Sequence, residues 1–347
     1  MFIIKHKYIF IGISALLVAV SLASMYVFGV RYGIDFTGGS LLEAEYSTEK
    51  PTLAVAGLPE GVTITPVTEN ADGTVTPAPA PTLPKISEIK EVLVKDGITD
   101  AIVQSTGKTG YIIRTKSLSD AEHTKLLTAL SFNDTRKVTE KRFTSIGPVM
   151  GEELRSKAFI AVGGVILAIM LFIAFAFRKV SVPVSSSKYG FMVVVSLVHD
   201  VIIPTGALAI LGHFNPSFEA DILFVTALLI ILGFSVHDTI VVFDRIRENL
   251  KNKISQDFEK VVGASLQQTF VRSINTSLTL ILVLVMLLVF GPASTYNFAL
   301  ILLVGVTMGT YSSIFLASPL LVVVEQYKRR HTAAAPVQNN YRPKKKN

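Results

Sequence analysis

Cysteine is absent from the 347 residues. That excludes disulfides, thiolate nucleophiles and thiolate-held metals, but it says nothing about compartment, because an external domain does not require a disulfide. Charge is scarce too: Asp, Glu, Lys and Arg make up 17% of the chain while half of it is hydrophobic, too much apolar sequence for one water-facing domain to hide. In the long stretch 31–156 no Ser/His/Asp set, no paired carboxylates and no metal-ligand spacing stands out. Its one histidine, His123, is expected on a helix surface in contact with solvent. The chain is therefore expected to be no enzyme and to need neither metal nor cofactor.

What is present is a set of apolar blocks rather than amphipathic stripes. A bilayer core about 30 Å thick takes about 20 mostly apolar helical residues to cross. Six blocks qualify, at roughly 8–30, 157–177, 190–211, 222–243, 273–290 and 297–325. The first follows Lys5 and Lys7 like a signal peptide, but its 23 residues exceed the 7–15 apolar residues of a cleaved signal, so it reads as an uncleaved first span.

Orientation follows from where Lys and Arg lie, since short cytoplasmic loops are enriched in them. The second and third blocks are joined by a segment carrying Arg178, Lys179 and Lys188. The fourth and fifth are joined by one carrying Arg245, Arg247, Lys251, Lys253 and Lys260. The tail carries Lys328, Arg329, Arg330, Arg342, Lys344, Lys345 and Lys346, whereas loops 212–220 and 291–296 have no Lys or Arg. Six spans with both termini in the cytoplasm satisfy every loop. The net charge of +7 is thereby an orientation and anionic-lipid signal rather than a nucleic-acid one. Four regions result: a cytoplasmic N-terminus and first span (1–30), an extracytoplasmic domain (31–156), a five-helix bundle (157–326) and a basic cytoplasmic tail (327–347).

Within the external region, Leu41–Tyr46 reads as a strand after an initial loop. Residues 86–96 place Ile86, Ile89 and Leu93 at helical spacing before Gly97. Ala101–Thr106 and Tyr111–Thr115 form a hairpin pattern around Gly107 and Gly110. Ser119 with Glu122 is a capping box opening a helix to about 131, and Lys137–Ser145 supplies a last strand. The order β-α-β-β-α-β is the ferredoxin-like split βαβ. Residues 48–84, with seven prolines, fit none of this and read as an insertion.

Ionisable groups inside spans each need a reason, because a charge in hydrocarbon costs about 2.5–3.5 kcal/mol even on the mildest scale. The third span carries His199 and Asp200, the fourth His237 and Asp238. The fifth opens with Gln268, Arg272, Asn275, Thr276 and Thr279 on one helical face, and Arg272 enters from the same side as Asp238. Two readings stay open on these residues. Arg272 can snorkel to headgroups while hydroxyls satisfy Asp238. Alternatively the two act as a proton relay, burial disfavouring the charged carboxylate and the guanidinium favouring it, so that proton binding is coupled to helix movement. In the sixth span Gly305, Gly309 and Ser313 permit close helix approach, and Pro319 is a candidate kink.

Three segments together resemble the SecD/SecF family of bacterial protein-export membrane proteins. They are Asp35-Phe36-Thr37-Gly38-Gly39 after the first span; His237-Asp238-Thr239 running on to Asp244, Arg245, Arg247, Glu248 and Asn249; and Gln268-Thr269 with Arg272, Asn275-Thr276-Ser277 and Thr279. The resemblance implies half of a resistance–nodulation–division-type bundle, completed by SecD. It implies a role late in Sec-dependent export across the bacterial inner membrane, driven by the proton gradient. Partners would be SecD, the SecYEG channel, YajC/YidC-type accessory proteins and the unfolded polypeptide in transit. It carries the proton-pathway acid onto Asp238 and its basic partner onto Arg272, with His237, Thr239, Asn275, Thr276, Thr279 and Asp200 in support. Two departures stand out: the 48–84 insertion, and His237 where family members often have Asn. The architecture also permits half of a proton-driven small-molecule efflux transporter, or a membrane scaffold without proton coupling.

Overall fold

A computed structural model describes residues 2–47, 67–69, 75–77, 83–132, 136–176 and 186–333. Arg178, Lys179, most of the 48–84 insertion with its 78–81 Ala-Pro run, and the tail beyond 333 lie outside the described residues. The chain forms two units: Tyr32–Ser156, and Met1–Arg31 together with Lys157–Asn347.

The first unit contains a four-stranded antiparallel sheet of β1 (Gly39–Tyr46), β4 (Ile102–Thr106), β5 (Gly110–Thr115) and β6 (Val138–Ile146), in the order β4-β5-β1-β6. With helices Ile86–Lys95 and Asp120–Leu130 this is the expected ferredoxin-like topology. Alternation sets the core: Leu42, Ala44 and Tyr46 of β1 and Tyr111 and Ile113 of β5 point inward. Ile89 and Leu93, one turn apart, meet them from the first helix, and Leu126, Ala129 and Leu130 from the second. Two tyrosines satisfy their hydroxyls inside this core. Tyr46 donates to the Leu130 carbonyl at 2.9 Å and Tyr111 to that of Pro84 at 2.6 Å. Burial pushes the phenol of Tyr46 well above its ordinary range. The Ser119–Glu122 capping box is present.

Three local features differ from expectation. The segment before β1 is not all loop, because Ile34–Thr37 makes a helical turn. Inside the insertion, β2 (Val67–Glu69) pairs with β3 (Val75–Pro77). His123 is not simply solvated: its ring stacks on Phe143 with centroids 3.8 Å apart, and Nε2 lies 3.1 Å from Glu140 Oε2, so it ties the second helix to β6.

Among the described residues six helices are long and apolar enough to span a membrane: Lys7–Phe28, Pro148–Ala176, Lys188–Phe214, Ile222–Lys251, Phe258–Phe290 and Tyr296–Tyr327, the second of them starting in the first unit and running on into the second. They are the first to sixth spans below. Several outrun their apolar blocks, since a helix continues wherever backbone bonding and packing allow. The fifth begins at Phe258 behind the Asp257 cap, and its buried Phe258, Val262 and Leu266 anchor that polar-flanked start in the core. The sixth packs on the third, fourth and fifth. Gly305 lies against the Ile231 side chain and Gly309 against Ser235, so a larger side chain at either position would have to displace its neighbour. The expected disturbance at Pro319 takes the form of a π-helical stretch, Ser313–Ala317, just before it. Proline lacks the amide hydrogen and its ring clashes with the carbonyl four residues back, and a wider turn relieves that clash.

Candidate functional site

Asp238 is 3% exposed, inside the bundle rather than against lipid. Its carboxylate accepts from Ser277 of the fifth span at 3.4 Å, and Thr310 of the sixth donates to Ser277 at 2.6 Å. Both hydroxyls have a fallback acceptor in their own helix: the Ser273 carbonyl at 2.9 Å for Ser277, and that of Val306 at 2.8 Å for Thr310. Each hydroxyl has one hydrogen. Each hydrogen therefore has two acceptors to choose between, one along the chain leading to Asp238 and one in its own helix. Thr239, also buried, donates to the Ser235 carbonyl and turns away from the acid. His237 is mostly exposed, its Nδ1 4.0 Å from Asp238 Oδ1.

The polar set singled out on the fifth span lies on a different face. Arg272, Asn275 and Thr279 are exposed and Thr276 half-buried. Thr276 donates to the Arg272 carbonyl and Thr279 to that of Thr276. Among the described residues no ion pair joins Arg272 to Asp238. What the fifth span turns inward is a second stripe, Ser265, Thr269, Ser273 and Ser277, all buried. This stripe repeats every four residues, a signal present in the sequence but indistinguishable there from ordinary hydroxyls bonding their own helix.

Asp200 is fully buried and accepts at Oδ2 from Ser235 of the fourth span (2.5 Å) and Ser312 of the sixth (2.9 Å); His199 Nδ1 lies 3.0 Å from Oδ1. At the end of the fourth span, Arg245 holds Glu248 and Gln268, both at 2.6 Å, and Arg247 lies 3.4 Å from Asp244. Buried Asn249 donates to Ser265 and Gln268, at 2.8 and 2.9 Å. The contacts of Arg245 with Gln268 and of Asn249 with Ser265 and Gln268 clamp the fourth span to the fifth.

The Asp35–Gly39 signature is a packing device. Phe36 is buried and Thr37 donates to the Gly33 carbonyl at 3.0 Å. Gly38 (φ 73°) and Gly39 (φ 137°) adopt backbone conformations suited to glycine. A Cβ on Gly38 would sit 2.8 Å from the Pro148 Cα, and one on Gly39 2.7 Å from the Thr115 carbonyl. Among the described residues no group of acidic or histidine side chains could hold a metal ion.

Comparison with known proteins places this geometry. The family model "Protein export membrane protein SecD/SecF, C-terminal" matches residues 126–327, and the "SecD/SecF GG Motif" matches 23–50. The chain belongs to the SecD/SecF family. It is 40% identical to "Protein translocase subunit SecF" of Thermobaculum terrenum, covering 92% of each chain. It is 32% identical to the protein of that name from Pseudomonas aeruginosa, covering 90% of this chain and 87% of the relative. Among solved structures it resembles SecDF from Thermus, a translocon-associated membrane protein (TM-score 0.72, 28% identity, 93% of this chain). It also resembles SecDF in a super-membrane-facing form (TM-score 0.63, 27% identity, 96% of this chain). The chain spans 38% and 40% of those two chains. The SecD/SecF family thus accounts for six spans with a ferredoxin-like domain between the first and second, and for a multi-pass membrane protein of protein export. Its members are translocase subunits rather than known enzymes.

Proposed function

We propose that this chain works with a SecD half to move protons through the bundle and so promote late steps of Sec-dependent export, and that it is not an enzyme. The observation that carries this is Asp238, a carboxyl buried where the fourth, fifth and sixth spans meet, with a two-hydroxyl chain running from it through Ser277 to Thr310. Arg272 is its basic partner in this reading, engaging it in another conformation of the cycle. The exposed flank of His237, Arg272, Asn275 and Thr279 supports a covering half: such groups are costly against lipid, and SecD supplies the surface that shields them. SecYEG, YajC/YidC-type proteins and the unfolded polypeptide are the further partners. In this reading the chain spans a bacterial inner membrane with both termini on the cytoplasmic side. The regions 1–30, 31–156, 157–326 and 327–347 are its cytoplasmic start with first span, external domain, bundle and tail.

The experiment is Asp238→Asn, a near-isostere that cannot titrate, expressed with SecD. Membrane insertion is expected to persist while export loses its dependence on the proton gradient. Wild-type gradient-dependent secretion in that variant would remove the relay from the account.

A further inference from the structure

We propose that His199 and Asp200 form a second proton-holding pair, distinct from Asp238, whose protonation is linked to the π-helical stretch of the sixth span. Both side chains are almost wholly buried, at 3% and 0% exposure, and they touch through Nδ1 and Oδ1 at 3.0 Å. In a dry interior, states without net charge are favoured. The pair therefore holds one proton, as imidazolium with carboxylate or, after transfer across that contact, as imidazole with carboxylic acid. Neither transfer direction creates net charge.

Two features equip the pair to exchange that proton. Ser235 and Ser312, from different spans, both place a hydroxyl on Oδ2, which stabilises the carboxylate when the proton leaves. On the other side, His199 Nε2 is buried with no hydrogen-bond partner among the described residues. An imidazole nitrogen in that position is where a water, and with it a proton, enters or leaves. Pro204 also lies four residues after Asp200, so the Asp200 carbonyl lacks its usual helical amide and remains a second acceptor for such a water.

The link to the sixth span runs through Ser312, the last residue before Ser313–Ala317. Its hydrogen reaches either Asp200 or the Gly309 carbonyl at 3.0 Å, and Ser196 donates to its oxygen at 3.1 Å. A charged Asp200 claims that hydrogen and a neutral one releases it, at the point where the helix already departs from regular pitch. Single π turns recur at functional places in helices. Among the described residues, few other ionisable groups lie on the spans packed around the pair. The fourth span offers Asp238, one turn from Ser235. The sixth offers Tyr311, which donates to the Phe10 carbonyl, and Glu325 near Lys188. The first offers Lys7, bound to Glu259.

The physiological use of the pair rests on the proton-coupled reading above, but its titration does not. The test is infrared difference spectroscopy of the purified full chain across the pH range in which it stays folded, comparing wild type, Asp200→Asn and Asp238→Asn. Asparagine can still accept from Ser235 and Ser312, so a purely structural role would survive it. A titrating buried carboxyl signal is expected to vanish in Asp200→Asn and persist in Asp238→Asn, and His199→Gln should displace its midpoint. If no signal depends on Asp200, the proposal fails whatever Asp238 does. Should Asp200→Asn not accumulate in membranes, Ser312→Ala carries the test, since it keeps the carboxyl and removes one donor. A displaced midpoint supports the pair, and an unmoved one overturns it.

Discussion

Replacing Gly38 with alanine tests whether the double-glycine turn is fixed by backbone shape alone or also by close approach. Its φ of 73° costs a residue with a Cβ about 1–2 kcal/mol. The new Cβ would also lie 2.8 Å from the Pro148 Cα and 2.9 Å from its nitrogen. Carbon atoms pack best at about 3.5–4.0 Å, and both neighbours are backbone atoms at a helix start, with no rotamer to yield. Overpacking of this kind adds about 1–3 kcal/mol, for a total of about 2–5 kcal/mol. Gly107→Ala is the control: φ is 60° and nothing lies within 4 Å of the added carbon, so only the conformational part remains. Hydrogen exchange of the β1 amides in the intact chain reads the difference. The extra clash should speed exchange in Gly38→Ala by roughly 5- to 150-fold over Gly107→Ala, at about 1.4 kcal/mol per factor of ten. Equal exchange in the two variants would refute the close-approach argument.

Tyr46→Phe removes the donor to the Leu130 carbonyl and should cost about 1–2 kcal/mol, measured by the same exchange experiment. Because burial raises the folded-state value of Tyr46, its contribution is complete below the ordinary tyrosine value of about 10 and fades as pH rises toward the folded-state value. Protection of the Tyr32–Ser156 domain, corrected for the intrinsic base catalysis of exchange, should therefore fall at alkaline pH, and less steeply in Tyr46→Phe. Gly305→Val drives a side chain into Ile231 and should lower the heat-aggregation midpoint in detergent, reflecting about 1–3 kcal/mol of overpacking. Asn249→Ala strips a buried donor from Ser265 and Gln268 and should lower the same midpoint by an amount corresponding to about 1–3 kcal/mol.

The external fold was legible because its signals are local. Period-two alternation in Leu42–Tyr46, the Ile89/Leu93 spacing and the Ser119 cap each specify one element, and the sheet order follows. The spans were legible as apolar blocks but not in their ends, since the Phe258–Gln268 turns are helical for reasons of packing that hydropathy does not register. Asp238 and Asp200 stood out because an acid amid apolar residues is rare. Of their hydroxyl partners, Ser277 stood in the fifth-span pattern but without this role, and Ser235 and Ser312 did not stand out, because a serine in a helix can always bond its own backbone and only the fold shows which ones turn inward. Arg272 illustrates the limit of helical counting: depth and periodicity located it, yet Asp238 meets Ser277, five residues further along the same helix. Pro319 announced a disturbance, while its form as a π stretch depends on neighbours no local pattern encodes.

The first span is held by a late arrival. Ser24 donates to the Gly206 carbonyl, a contact across 182 residues, and Gly206 sits so close to Ser21 that no side chain would fit between them. At ribosomal speeds of about 5–20 residues per second, that separation amounts to roughly 10–40 s of synthesis. During this wait the newborn helix has only its own backbone for its hydroxyls, as Ser24 shows by also bonding the Ser21 carbonyl. The domain Tyr32–Ser156 is therefore made, and free to fold, before the helix that precedes it finds its permanent neighbour.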